Sequence, residues 1–186
     1  VLTIGYLITE AEEVWLTTAE GRVVPGHVVG YDQVTGFGLV QALGRLGVPA
    51  LPLGDSDSAR PGDRIVFAGA GGQAGALAGR VVARQPFVGY WEYLLEDAIY
   101  TAPAHPLWGG AAVIGPKGEV LGIGSIQLGH DPGDGLVRVL NMSVPVNLLK
   151  PILDEMLALG RPKRPPRPWL GVPAVSDEGR VILIDV

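Results

Sequence analysis

An all-β fold is the class that this sequence predicts, on the strength of its composition and the length of its apolar runs. Of 186 residues, 28 are glycine and 16 are proline, while 47% are hydrophobic. Glycine and proline at this frequency interrupt helices and supply tight turns, and a chain of this length can bury a sizeable apolar core. We therefore expect many short strands joined by turns rather than a bundle of helices.

The predicted strands are short apolar runs bounded by turn residues. They cover residues 14–18, 22–31, 38–42, 64–68, 79–83, 111–114, 119–125 and 136–144. Two hairpins are expected, because Ala19-Glu20-Gly21 separates the first pair of runs and Lys117-Gly118 precedes the seventh. The chain also begins in strand-like sequence at Val1, without a methionine, so we expect further residues upstream.

One helix is expected near the end of this region. Residues 148–157 carry an apolar stripe at helical spacing, with Asn147 as the predicted N-terminal cap and Gly160 as the stop after residue 159. Residues 161–168 contain four prolines and four basic residues, which is typical of a stiff, extended linker. The sequence from Trp169 to Val186 then begins a new unit too short to fold alone.

Composition excludes several kinds of site and partner. The formal net charge is −5, so nothing indicates the basic face that nucleic acid requires. There is no cysteine and no apolar run long enough to span a membrane as a helix. The three histidines are scattered without metal-ligand spacing, so neither a metal nor a cofactor is expected.

Residues 69–74 match a dinucleotide-binding glycine pattern. The glycines and valines that follow cannot form the helix that this motif requires, so we expect a loop between strands instead.

Six segments in order resemble the HtrA type of trypsin-like serine protease. The hairpin at 13–32 is similar to the family's "DEITVTLSDGRE…KVVGSD". The strings LPLGDSD at 51–57, RPGD at 60–63, GEVLGI at 118–123, VPVNLLKPI at 144–152 and WLGV at 169–172 resemble "LPLGDSD", "RVGD", "GEVIGI", "IPSNLAKPI" and the "WLGV" that opens the family's PDZ domain. The resemblance covers nearly the whole chain.

This register places other residue types at every catalytic position of the family. Tyr6 stands where the family has its histidine, within 1–14, and a phenol with a pKa near ~10 is a poor general base at neutral pH. Gly36 stands at the aspartate position and Trp108 at the serine position, where an indole cannot attack a carbonyl. Pro106 replaces a glycine whose N–H helps to form the oxyanion hole, and proline has no N–H.

The resemblance implies a trypsin-like double β-barrel, two antiparallel barrels with a cleft between them and a C-terminal helix. Residues 1–58 would form the first barrel without its opening strand or strands, 59–160 the second barrel plus helix, 161–168 the linker and 169–186 a truncated PDZ start. Candidate residues of the binding cleft are His105, Trp108, Gly109, Ser125 and Ser143.

The function expected from this pattern is that of a catalytically inactive protease homologue that binds peptides, unfolded proteins or a partner protein. Two alternatives stay open: an active serine endopeptidase with a non-standard site, and a structural scaffold that forms a homo-oligomer like the family's trimers. The resemblance also implies a periplasmic or cell-envelope location.

Overall fold

Two antiparallel β-sheets make up most of the chain in this computed structural model, which describes residues 1–89, 94–130, 136–165, 174–177 and 180–183. The first sheet has four strands in the spatial order β1-β4-β3-β2, with β1 and β2 at its edges. Its strands are β1 (Leu2–Ile4), β2 (Val14–Thr17), β3 (Val23–Tyr31) and β4 (Phe37–Ala42).

The second sheet closes into a six-stranded barrel with the order β10-β7-β6-β5-β8-β9. A parallel bridge between Leu53 and Val120 ties the segment that enters this barrel to one of its strands. The barrel strands are β5 (Arg64–Ala68), β6 (Ala76–Phe87), β7 (Leu95–Ala102), β8 (Ala112–Ile114), β9 (Val120–His130) and β10 (Arg138–Pro145).

The all-β class predicted from the sequence is confirmed, but three strands differ clearly from the prediction. β9 continues to His130, beyond the predicted 119–125. β7 was not predicted, because Glu96 and Asp97 break its apolar run and both side chains are exposed. β6 extends well beyond the predicted 79–83, because polar side chains on its outer face mask the apolar pattern. The segment Gly72–Gly75 forms a short 3-10 turn between β5 and β6, as expected for a loop between strands.

The predicted helix is shorter than expected, and Asn147 does not cap it. The structure has a 3-10 turn at Val146–Leu148, and helix α1 runs from Leu153 to Leu159. Pro151 explains the later start, since it disfavours helical geometry in the residue before it. Asn147 instead donates its side-chain amide to an Asp55 carboxylate oxygen at 2.7 Å. Gly160 ends α1 as predicted, in the left-handed conformation with φ 74°.

A single apolar cluster joins the first sheet, the barrel and α1. Ile4 and Phe37 from the sheet, Met142 and Val144 from β10, and Met156 from α1 are all completely buried within it. A second cluster fills the barrel. The shared cluster fixes the sheet against the barrel, and so positions the residues at the boundary between them.

The C-terminal part is described only in pieces. Strands β11 (Ala174–Asp177) and β12 (Arg180–Leu183) pair as an antiparallel hairpin. The string at 169–172 lies outside the described residues. Among the described helices, none has the length and apolar character needed to cross a membrane.

Candidate functional site

Tyr6 lies at the boundary between the sheet and the barrel. It sits in a 3-10 turn at Gly5–Leu7, directly after β1, and its side chain is half-buried. Its hydroxyl donates a short hydrogen bond to the main-chain carbonyl oxygen of Ser125 in β9. The phenol therefore crosses from the first sheet to the barrel.

Gly36 lies beside the turn that carries Tyr6. It is buried in the connection between β3 and β4, and its carbonyl oxygen accepts a hydrogen bond from the Gly5 N–H at 2.6 Å. Its φ of 83° falls in the left-handed region, which favours glycine. The main chain of Gly36 therefore lies next to the turn that carries Tyr6, and glycine offers no side chain there.

The segment 108–110 meets Tyr6 from the barrel side. A Cβ atom placed on Gly109 would lie 3.0 Å from the Tyr6 hydroxyl oxygen, and one on Gly110 would lie 2.4 Å from the Thr3 hydroxyl oxygen. The Gly110 N–H donates to the Gly124 carbonyl at 2.9 Å, which holds this segment on β9. The structure thus brings the positions of Tyr6, Gly36 and the Trp108-Gly109 pair together.

Trp108 is half-buried, with its side chain packed against the apolar cluster inside the barrel. Its carbonyl oxygen accepts the Ala111 N–H at 3.1 Å, and a Cβ on Gly124 would come within 2.2 Å of that same oxygen. Glycine at 124 is therefore required for the Trp108 main chain to approach β9. The Trp108 side chain therefore contacts the core and is only partly buried.

His105 anchors the loop before Trp108. It is 4% exposed, and its ring stacks on Phe67 with centroids 5.6 Å apart. Its Nδ1 accepts the Leu107 N–H at 3.0 Å, so the proton resides on Nε2, which donates to the Gly75 carbonyl at 2.5 Å. Both ring nitrogens are thus occupied by main-chain groups, and His105 is placed to shape the loop rather than to take a proton from a hydroxyl.

Asn141 completes this anchor and was not singled out in the sequence. Its side-chain oxygen accepts the His105 N–H at 2.5 Å, and its amide lies 3.4 Å from the His105 carbonyl, which also accepts from Gln127 at 3.2 Å. The sequence offered one signal for this role, because Asn141 is a polar residue in the middle of the apolar strand β10. A buried polar side chain has to form hydrogen bonds.

Ser125 and Ser143 are both completely buried. The carbonyl oxygen of Ser125 accepts from Tyr6, as described above. The Ser143 hydroxyl has no hydrogen-bond partner among the described residues, so no base is placed to activate it. Pro106 is exposed in the loop after His105 and contributes no N–H.

The side chains at the three positions are uncharged: a phenol at Tyr6, a hydrogen atom at Gly36 and an indole at Trp108. Within the described parts of the chain, no group of three or more metal-ligating side chains converges.

Comparisons with known proteins identify the fold and the family. The model of the trypsin-like peptidase domain matches residues 1–123. Curated relatives include the periplasmic serine endoprotease DegP of Salmonella typhimurium, 25% identical over all of this chain and 39% of its own length, and the serine protease Do-like HtrB of Bacillus subtilis, 24% identical over 95% of this chain and 39% of its own. The chain therefore spans about two fifths of the length of these relatives.

Solved structures agree with this assignment. The HtrA-type protease AlgW with a decapeptide superposes with a TM-score of 0.72 at 22% identity, over 100% of this chain and 59% of that one. The same protease with a tripeptide gives 0.70 at 22% identity, over 94% and 56%. The fold is that of the trypsin-like double barrel, and the relatives and solved structures named above are of the HtrA type. The chain belongs to the family of trypsin-like peptidase domains.

Proposed function

We propose that this chain is a catalytically inactive HtrA-like protease homologue that binds extended peptides or a partner protein. The observation that carries the proposal is the contact between Tyr6 and the 108–110 segment. A working protease of this fold needs a histidine and a serine at these positions, and a phenol and an indole cannot replace them.

Peptide binding is supported by the second edge of β9, which has no paired strand after Ile123 among the described residues. β9 pairs with β10 from Gly122 to His130, whereas its ladder with β8 ends at Ile123. On this edge Gly124 bonds to the main chain of residues 110–111, and the Ser125 carbonyl accepts from Tyr6. Extended peptides add to such edges through main-chain hydrogen bonds, and the half-buried ring of Trp108 offers apolar surface next to it.

Two further parts of the proposal come from resemblance. The solved HtrA-type relatives hold peptides, which agrees with a peptide ligand here. The curated DegP relatives are periplasmic, so we propose a periplasmic or envelope location, and we propose that the tail from Trp169 begins a PDZ domain.

The competing function is serine endopeptidase activity through another residue, and an active-site probe separates the two. We expect a fluorophosphonate probe to label no serine of this chain, while trypsin in the same solution is labelled. Stoichiometric labelling, followed by mass spectrometry that places the adduct on Ser125 or Ser143, would establish the endopeptidase instead.

Peptide binding is tested with a library of fluorescein-labelled decapeptides and fluorescence anisotropy. We expect Trp108→Ala to weaken the best binder by about tenfold, since truncating a central aromatic residue of an interface commonly costs more than 1 kcal/mol. Trp15→Ala is the matched control, because Trp15 is 58% exposed on β2, an edge strand of the first sheet that pairs with β3. Equal losses in the two variants would contradict the proposed cleft, and so would the absence of any binder.

A further inference from the structure

A groove of about 590 Å³ lies on the outer face of the barrel, where β5 is flanked by β6 and β8. Successive side chains of a strand point to opposite faces of a sheet, so this groove and the site described above lie on opposite faces of β5. Ile65 and Phe67 point into the barrel, in the cluster that Trp108 contacts, whereas Arg64 and Val66 point outward and are exposed. The groove is therefore a separate surface of the molecule.

The floor of the groove is aliphatic. Val66 is 39% exposed and pairs with Ala78 on β6 and with Ile114 on β8, so three apolar side chains lie side by side across the strands. Pro103 and Pro116 line the floor's margins. No aromatic ring is among the residues that line it, so the groove has no surface on which a nucleobase would stack.

Two arginines face each other along the groove. Arg64 and Arg80 are direct cross-strand neighbours, an arrangement in which like charges repel. The Arg80 guanidinium is held by the Gly62 carbonyl at 2.8 Å, and Arg64 has no ion-pair partner in the described ranges. The nearest carboxylate in sequence, Asp63, accepts the main-chain N–H of Arg60 at 2.8 Å.

Lys117 adds a third positive charge beside the groove, in the turn that leads to β9. Glu119 brings a carboxylate oxygen to 2.8 Å from a Cβ placed on Gly115, at the margin of the groove. Among the described residues, neither Glu119 nor Asp63 forms an ion pair with the two arginines, so the groove is locally positive although the chain carries a net charge of −5. A carboxylate that bridges the two guanidinium groups would remove their repulsion and gain charge-assisted hydrogen bonds.

From this geometry we infer that the groove is a second binding site, for an extended acidic segment of a partner protein in which a glutamate or aspartate stands two positions from an aliphatic residue. Side chains two positions apart lie on the same face of an extended peptide, so the carboxylate reaches Arg64 and Arg80 while the aliphatic side chain covers Val66. The volume also fits a segment of a few residues.

The test uses the full chain and a fluorescein-labelled Gly-Glu-Ser-Val-Ser-Gly peptide, with the Gln-for-Glu peptide as its matched control. We expect the Glu peptide to bind at least about tenfold more tightly and to weaken as salt is added, because the recognition is between charges. Arg64→Gln combined with Arg80→Gln is expected to remove most of this difference. Thermal unfolding checks that the double variant is folded.

The matched control is Arg22→Gln combined with Arg45→Gln, which changes net charge equally at exposed positions in the segments that flank β3 and β4. It is expected to change the affinity by less than about twofold, because the charges lie outside the groove. The inference is overturned if both double variants lose affinity equally, or if the Glu and Gln peptides bind alike. Tighter binding of a duplex oligonucleotide at the same arginines would also overturn it.

Discussion

The Tyr6 hydroxyl donates its hydrogen bond to the main-chain carbonyl oxygen of Ser125, and this contact joins the first sheet to strand β9 of the barrel. In the proposed peptide site, the Ser125 carbonyl lies on the edge of β9 that a bound strand would use. The phenol therefore has two consequences, since it stabilises the boundary between the two units and occupies an acceptor that a bound strand would otherwise use.

Replacing Tyr6 with phenylalanine separates these consequences. We expect Tyr6→Phe to lower the free energy of unfolding by about 1 kcal/mol, the usual net value of a hydrogen bond, and to strengthen decapeptide binding because the carbonyl is released. Chemical denaturation and anisotropy measure the two effects. Tyr31→Phe is the control, since Tyr31 is 37% exposed on β3. Weaker peptide binding by Tyr6→Phe would show that the hydroxyl contributes to recognition instead.

Under the proposed register, a serine placed at position 108 is not expected to create protease activity by itself. In Trp108→Ser, the position proposed for the histidine would still carry the Tyr6 phenol, and Gly36 offers no carboxylate. Pro106, at the proposed oxyanion-hole position, has no N–H, and loss of one oxyanion donor costs roughly 10²–10³-fold in rate. We expect no fluorophosphonate labelling at position 108 above that of the unmodified chain. Labelling by this single substitution would mean that a base exists near position 108 after all.

His105 supports the loop through its buried ring rather than through exposed chemistry. His105→Ala removes the hydrogen bonds to Leu107 and Gly75 and the stacking on Phe67, and we expect a loss of about 2–4 kcal/mol in unfolding free energy. His27→Ala, on the exposed face of β3, is expected to change it by less than about 0.5 kcal/mol. Similar small losses in both variants would contradict the anchoring role of His105.

The sequence predicted the fold better than the contacts within the site. Local apolar runs were sufficient for most strands, and the ordered motifs indicated which chain positions would meet. They did not predict the partner of Tyr6, because Ser125 lies 119 residues away and accepts through its main chain, which has no sequence signature. Nor did they predict that Asn147 would bind Asp55 instead of capping α1, since a side chain's choice between local and distant partners depends on tertiary packing.

That Asp55–Asn147 contact gives a prediction about pH. The hydrogen bond from Asn147 is the main cause that lowers the pKa of Asp55, with the Asp57 N–H second. Because the folded-state pKa is depressed, the stabilisation is present above the unfolded pKa of about 3.9 and is lost as pH falls through the folded value. We expect Asn147→Ala to raise the Asp55 pKa and to weaken the dependence of stability on pH in this acidic range. NMR titration of the Asp55 carboxyl carbon measures this pKa. The control is Arg60→Gln, which should raise the Asp55 pKa less, because the Arg60 charge is the weakest of the causes that lower it.

Residues 161–165, which follow α1, are held against the first sheet by an ion pair. The Arg164 guanidinium lies 3.1 and 3.2 Å from the two carboxylate oxygens of Asp32, a buried residue that also accepts from the Thr35 hydroxyl at 2.8 Å. The Lys163 N–H donates to the Glu155 carboxylate at 2.7 Å. These contacts are expected to protect the linker backbone from proteases, since a cut requires the segment to open locally.

Trypsin tests this protection at one bond. It does not cut before proline, so the bond after Lys163 is the cleavable basic site within 161–168. We expect Arg164→Gln to speed cleavage there by about threefold or more, in keeping with the loss of an ion pair worth up to about 1 kcal/mol. Arg161→Gln removes the same charge from an exposed arginine and should leave the rate unchanged. Equal rates in the two variants would mean that the Glu155 contact alone holds the linker, and that the Asp32 pair does not restrain it.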